Sequence, residues 1–314
     1  MRYRPLGNTG MSVSAMSLVL DGSCAGMREA DWIGLIYAAL ESGVNAFEVV
    51  GAQPTLIDGV GQALQAIDRR LVFVAWRLGW SIGTSGQPVR DFSPEALARV
   101  VESVVARTGL TYLDATVLDD PAADELSPRA LDMLRRLKDM GRIRLLGVTG
   151  RDDAIDAYIS SGSFDLVATP FSLMSGWKER LRVKAAVDRD MVVLGYGYYP
   201  QTIREPMGQE PGKGGLWGRT AAKPLAGAGT YAFLERTPHW SGEEICLAYA
   251  MTEPSLCTVQ VPADRIDRVE LMAAVCEREL PSGVPAQIEM ARFAPPPGQP
   301  EPGHDEPAQT ARRA

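Results

Sequence analysis

Short apolar runs alternate along the chain with longer segments of helical period. The runs are rich in β-branched residues and stop within about eight residues, which is typical of strands buried on both faces. Amphipathic segments such as DWIGLIYAALESG and PEALARVVESVVARTG separate them. The pattern predicts strands over residues 16–20, 44–50, 71–77, 112–118, 143–148, 164–168, 190–195 and 256–260.

The ends of the predicted helices carry clear start and stop signals. Ser93-Pro94 and Ser127-Pro128 each combine an N-cap residue with proline at the first helical position. Gly109 and Gly141 end the same two helices. Strands that alternate with helices in this number favour a closed (β/α)8 TIM barrel. An open doubly wound sheet is the alternative.

Two regions depart from the alternation. Residues 200–240 are rich in glycine, proline and lysine and follow the seventh predicted strand, so we expect a long lid loop over the C-terminal mouth of the barrel. Residues 295–314, PPPGQPEPGHDEPAQTARRA, have too few apolar side chains to pack and predict a disordered tail. The sequence therefore predicts a single barrel domain over residues 1–294.

Composition limits the classes of partner. The 314 residues carry a net charge of −7, which argues against nucleic acid or an anionic membrane surface as partner. No apolar run is long enough to span a bilayer, and the N-terminus lacks the apolar core of a signal peptide. The four cysteines show no zinc-ligand spacing. We expect a cytoplasmic protein with reduced thiols.

Five segments occur in an order that resembles one enzyme family. They are MRYRPLGNTGMSVSAMSL, GVNAFE, LKDMGRIRLLGVTG, FDLVATPFSL and MVVLGYGYY. Together they resemble the aldo-keto reductase family along most of the first 200 residues. The resemblance implies a (β/α)8 barrel that holds NADPH at its mouth. It also implies a tetrad in which tyrosine protonates the carbonyl oxygen, lysine and aspartate lower the pKa of that tyrosine, and histidine orients the substrate.

The tetrad positions of this chain hold other residues. The resemblance places the aspartate at Glu48, the tyrosine at Gln53, the lysine at Arg77 and the histidine at Asp119. A glutamine amide donates hydrogen bonds but gives up no proton near neutral pH. An arginine stays protonated where a lysine can titrate. The tyrosine-dependent proton relay is therefore expected to be absent.

The cofactor positions change as well. The serine and asparagine that hold the nicotinamide carboxamide fall at Thr149 and Gly150, and the glutamine falls at Ala168. The stacking tyrosine is retained as Tyr196, and Arg265 is the residue left to meet a 2′-phosphate, beside Asp264. NADP is thus the cofactor that the family implies, while these replacements argue against its binding.

The residues leave three hypotheses open. The first is a divergent family member with little or no standard carbonyl reduction, which acts as a binding or regulatory protein or as a non-redox catalyst. Its ligand is a small molecule at the mouth, or its partner is a protein. The second is a genuine NAD(P)H-dependent reductase with another proton donor, either Tyr196 or water. The third is an acid/base lyase or isomerase built on Glu48 and Asp119.

The charged residues at the mouth also allow a purely structural interpretation. Arg77 placed between Glu48 and Asp119 would satisfy all three groups as an ion-pair cluster in a site that is no longer used. The same arginine opposes a cation, so no metal site is predicted.

Overall fold

The computed structural model describes residues 1–82, 88–204 and 231–293. Eight parallel strands close into a barrel in the order β10-β11-β12-β3-β4-β5-β8-β9, which confirms the predicted (β/α)8 fold and excludes the open sheet. Two short antiparallel hairpins, β1–β2 and β6–β7, accompany the barrel. The strands are β1 Tyr3–Pro5, β2 Ser12–Ser14, β3 Met16–Asp21, β4 Ala46–Val50, β5 Phe73–Leu78, β6 Trp80–Ile82, β7 Pro88–Arg90, β8 Leu113–Asp119, β9 Ile143–Thr149, β10 Leu166–Pro170, β11 Val192–Tyr196 and β12 Thr258–Pro262.

Helices follow the barrel strands at the positions that the period predicts. Ser93 and Ser127 cap their helices by accepting hydrogen bonds from the backbone N–H groups of Ala96 and Ala130, at 3.3 and 3.2 Å. Gly109 ends its helix in the left-handed conformation. The helices are α1 Glu29–Glu41, α2 Pro54–Gln65, α3 Pro94–Thr108, α4 Pro128–Asp139, α5 Asp153–Ser161, α6 Trp177–Val187, α7 Gln201–Arg204, α8 Gly242–Ala250, α9 Ile266–Val275 and α10 Val284–Phe293.

The barrel interior below the mouth is mostly apolar. Alternate residues of each strand point inward, so small and branched side chains such as Ala46, Ala75 and Val117 fill the lumen. The β1–β2 hairpin, which the sequence patterns missed, closes the N-terminal end because Leu6 and Val13 join the same apolar cluster. The charged side chains Glu48, Arg77 and Asp119, which point into the lumen, therefore lie at the C-terminal ends of their strands.

Two glycines on α2 are required by helix packing. A Cβ at Gly59 would lie 2.9 Å from the carbonyl oxygen of Glu29, and one at Gly61 would lie 2.7 Å from the Cα of Thr108. These glycines therefore bring α2 close to α1 and α3. Helix α2 begins at Pro54, because proline suits the first helical position.

The chain divides into two compact units. The first comprises residues 1–200 and 243–280 and contains the barrel strands. The second comprises residues 201–242 and 281–314, in which α7, a 3₁₀ turn at Ala232–Glu235 and α10 are described. The predicted tail, 295–314, and most of the predicted lid loop, 200–240, lie outside the described residues. The single domain over residues 1–294 stays a prediction.

Candidate functional site

Three of the four residues that the sequence predicts at tetrad positions meet at the C-terminal mouth of the barrel. Glu48, Arg77 and Asp119 lie near the ends of the neighbouring strands β4, β5 and β8, and all three point inward. The Arg77 Nε and Nη2 atoms donate to Glu48 Oε1 at 3.2 and 2.8 Å, and Nη1 donates to Asp119 Oδ1 at 3.2 Å. The guanidinium thus bridges two carboxylates.

A fourth member reaches this group from β12, which is separated from β4 by β3 alone. Gln260 on β12 donates from Nε2 to Glu48 Oε2 at 2.7 Å, so each oxygen of this buried carboxylate accepts a hydrogen bond. We call Glu48, Arg77, Asp119 and Gln260 the mouth cluster. The sequence analysis missed Gln260, although a polar residue at an inward position of the apolar run TVQVP was a usable signal.

Electrostatics fix the charge state of the arginine in this cluster. Burial alone would lower the pKa of Arg77, but the nearby carboxylates of Glu48 and Asp119 outweigh it and raise that pKa above its ordinary value. The group is therefore a permanent cation that carries no titratable proton at neutral pH. Its chemical capacity is to hold carboxylates or a polar ligand in place.

Gln53, the residue at the tyrosine position, stands apart from the mouth cluster. It is the N-cap residue of α2, but its side chain makes no cap hydrogen bond. Its Oε1 atom is buried, has no hydrogen-bond partner among the described residues, and lies 2.0 and 2.3 Å from where a Cβ would stand at Gly22 and Gly51. The two glycines therefore make room for this amide. Among the described residues, no hydrogen bond connects the Gln53 side chain to Arg77.

The β6–β7 hairpin forms a wall beside the mouth. The Trp80 indole N–H donates to Asp119 Oδ2 at 2.5 Å. The Arg90 guanidinium lies 5.5 Å from the centre of the Trp80 ring and 5.2 Å from that of Phe92. Arg90 also donates to both carboxylate oxygens of Glu125, at 3.3 and 2.8 Å. The wall is thus tied to the loop that follows β8.

Trp76 does not belong to this wall. It precedes Arg77 on β5 and points to the opposite face of the strand, where it is fully buried. Of the two tryptophans that flank Arg77 in sequence, Trp80 alone contacts the site residues described above.

The residues expected around the nicotinamide lie on β9, β10 and β11 or directly after them. Tyr196 ends β11, and its hydroxyl shares a hydrogen bond with the buried side chain of Thr149. Burial raises the pKa of Tyr196 above its ordinary value, and the bond to Thr149 offsets part of the rise. Ala168 is buried in the apolar lumen and offers no polar atom. The Asp120 Oδ1 atom lies 3.0 Å from where a Cβ would stand at Gly150.

The expected phosphate contact is also engaged elsewhere. Arg265 is the N-cap residue of α9 and donates from Nε to Asp267 Oδ1 at 3.0 Å and from Nη2 to Asp267 Oδ2. With Asp264 next to it in sequence, this arginine offers little positive potential to a 2′-phosphate. The side chains present at these positions do not fit NADPH in the manner that the resemblance implies.

The described residues offer neither a metal site nor a helix that could cross a membrane. Within 1–82, 88–204 and 231–293, no group of three or more histidine, cysteine, aspartate or glutamate side chains is arranged to hold a metal ion. In those segments, too, every helix is too short or too polar to cross a bilayer.

Comparison with known proteins identifies the family. The model of the aldo/keto reductase family matches residues 25–292. L-galactose dehydrogenase from Arabidopsis thaliana is 28% identical over 170 residues, and the match covers 51% of this chain and 51% of that protein. The chain thus spans about half the length of the curated relative it matches.

Solved structures share the fold at low sequence identity. Aldo-keto reductase AKR11C1 from Bacillus halodurans, in its holo form, superposes with a TM-score of 0.73 at 20% identity, over 93% of this chain and 96% of that one. Glycerol dehydrogenase AKR11B4 from Gluconobacter oxydans gives a TM-score of 0.70 at 18% identity, with 92% and 94% covered. These likenesses establish the barrel. Since the family model matches most of the chain, the protein belongs to the aldo/keto reductase family.

Proposed function

We propose that this protein is a divergent family member with little or no standard NADPH-dependent carbonyl reduction. It serves as a binding or regulatory protein, or as a non-redox catalyst, whose ligand is a small polar molecule at the mouth or whose partner is another protein. One observation carries the proposal: Arg77 bridges Glu48 and Asp119 where the family's proton relay would stand.

The contacts of Gln53 support the loss of proton transfer. Its amide lies against Gly22 and Gly51 and has no ionisable proton to give to a carbonyl oxygen. Arg77 cannot replace the family lysine, because a guanidinium held between two carboxylates does not release a proton. A hydride acceptor at this mouth would therefore lack the acid that completes its reduction.

The residues predicted at the cofactor positions also support the proposed loss of NADPH-dependent reduction. Members of the family generally bind NADP(H). In this chain Ala168 lacks a hydrogen-bonding group, Thr149 is bonded to Tyr196, and Arg265 is paired with Asp267. Tight binding of NADPH would lack a side-chain contact at position 168 and would have to displace Thr149 from Tyr196, whereas the exposed pair of Arg265 and Asp267 would cost little to break.

A second candidate rests on Tyr196, a phenol retained near the mouth. If the protein is a reductase, this group is the available donor, although burial raises its pKa and makes it a weaker acid. The lyase hypothesis ranks below both, because the two carboxylates it needs share one guanidinium.

The test measures NADPH and NADH binding by calorimetry, together with oxidation of each cofactor over a panel of aldehydes and ketones. We expect dissociation constants above about 100 μM and no turnover. Micromolar binding with turnover that Tyr196→Phe abolishes would establish the second candidate instead. Turnover that survives Tyr196→Phe would also overturn the first.

A restored variant serves as a control. Glu48→Asp, Gln53→Tyr, Arg77→Lys and Asp119→His together rebuild the family tetrad. If this variant, once shown to fold by circular dichroism, gains turnover where the parent has none, the tetrad is what the parent lacks. If it stays inactive and does not bind NADPH, the cofactor positions are limiting as well.

A further inference from the structure

A pocket opens at the N-terminal end of the barrel, opposite the mouth cluster. It has a volume of about 590 Å³, within the range of small-molecule sites, and we call it the basal pocket. The turn of the β1–β2 hairpin forms one side, and the N-terminal ends of β8 and β9 form the other. Its lining residues are Leu6, Thr9, Gly10, Met11, Ser12, Asn45, Arg70, Leu71, Asp114, Arg144 and Leu145. Arg144 and Thr149 are five residues apart on β9, so about 16 Å separates this pocket from the mouth.

Most charges of the basal pocket are already paired. Asp114 is buried, and its Oδ2 atom accepts hydrogen bonds from Arg69 Nη2 and, at 2.9 Å, from the backbone N–H of Val74. Arg70 donates to both carboxylate oxygens of Asp68, at 3.0 and 2.8 Å. These two pairs leave no net charge.

Arg144 is the cation in excess. Its one hydrogen bond among the described residues is a long contact of 3.5 Å from Nη1 to Asp114 Oδ1, so most of its N–H groups remain available. The guanidinium lies 3.6 Å from the centre of the Tyr112 ring, and Arg69 lies 4.8 Å from the same ring. Stacking on an aromatic face fixes the plane of the donors before any ligand arrives.

Four of the eleven lining residues are large apolar side chains. Leu6 belongs to the apolar cluster that fills the barrel lumen, and Met11 and Leu145 pack against that cluster. Leu71 is 63% exposed although it is a large apolar residue. An apolar surface beside a fixed guanidinium suits a molecule with one anionic group on a hydrophobic body.

We propose that the basal pocket binds a small organic monoanion, a carboxylate on an apolar body, with Arg144 as its counter-ion. The carboxylate accepts hydrogen bonds from the free N–H groups of Arg144, and the body covers Leu71 and the hairpin side chains. This site is separate from the mouth cluster and holds whether or not the mouth is catalytic.

The experiment uses 4-(trifluoromethyl)benzoate as test ligand, followed by fluorine NMR, and the neutral 4-(trifluoromethyl)benzamide as its charge control. We expect saturable binding of the benzoate and roughly tenfold weaker binding of the amide, the scale of one charge-assisted hydrogen bond. Arg144→Met should weaken the benzoate by a similar factor.

A matched pair at an exposed position separates binding from folding. Leu71→Asp and Leu71→Lys change the same solvent-exposed side chain, so both should fold. The aspartate should abolish benzoate binding by repulsion, and the lysine should preserve or strengthen it. Equal binding of acid and amide, equal affinity of the two Leu71 variants, or no saturable binding at all would each overturn the proposal.

Discussion

Removal of the arginine from the mouth cluster tests the central feature of the site. Arg77→Met leaves the carboxylate of Glu48, which has 2% of its side chain exposed, without its cation. Removal of one partner from a buried ion pair typically costs about 3–5 kcal/mol, because the remaining charge stays desolvated. In a domain of this size each kcal/mol shifts Tm by about 2–4 °C, so we expect a decrease of roughly 6–20 °C.

A double variant distinguishes this mechanism from simple loss of packing. Arg77→Met combined with Glu48→Gln removes both charges, while the new amide oxygen can still accept the hydrogen bond from Gln260. We therefore expect the double variant to recover at least about half of the lost stability. The assay is denaturation by guanidinium chloride for the parent, both single variants and the double variant.

The control is a surface arginine with a comparable ion pair. Arg70 has 84% of its side chain exposed and pairs with Asp68, so Arg70→Met should change the free energy of unfolding by less than about 0.5 kcal/mol. The reasoning is refuted if Arg77→Met costs less than about 1 kcal/mol. It is also refuted if the double variant loses as much as the two single variants together.

Three further outcomes follow from the structure. Gly61→Ala should destabilise the protein by about 1–3 kcal/mol, because its Cβ would lie 2.7 Å from the Cα of Thr108. Gly34→Ala should be neutral or stabilising, because its Cβ would lie 3.5 Å from the side chain of Ile266. Equal melting temperatures of the two variants would contradict this prediction. Burial raises the pKa of Cys246 to about 12 and that of Cys276 to about 11, so iodoacetamide at pH 8 should leave both unmodified until urea is added, as mass spectrometry would show. Because the pKa of Tyr196 is raised in the folded state, the stability that its phenol contributes should decrease as the pH rises above about 10, the pKa of an unfolded tyrosine. The curve of unfolding free energy against pH for Tyr196→Phe should lack this part of the decrease. Identical curves for the parent and the variant would contradict the prediction.

The barrel was readable from sequence because its signals are local. β-Branched runs, Ser-Pro helix starts and glycine stops located all eight barrel strands within about two residues, and the helices capped by Ser93 and Ser127 begin where expected. The β1–β2 and β6–β7 hairpins were missed because three-residue strands leave no period to detect. The contact between Gln260 and Glu48 spans 212 positions of sequence and depends on barrel closure, which no local pattern encodes.

Under the proposed function, the residues at the mouth explain one another better together than one at a time. An arginine at position 77 brings a permanent cation into a nearly closed space, and such a cation is stable there only when carboxylates neutralise it. Glu48 is long enough to accept two of its N–H groups and still bond to Gln260, and Asp119 accepts a third, which a histidine could do only as a neutral acceptor. Once the arginine is satisfied in this way, a tyrosine at position 53 would gain no lysine to lower its pKa. On that proposal, Gln53 stands at a position where the rest of the site would no longer activate a tyrosine.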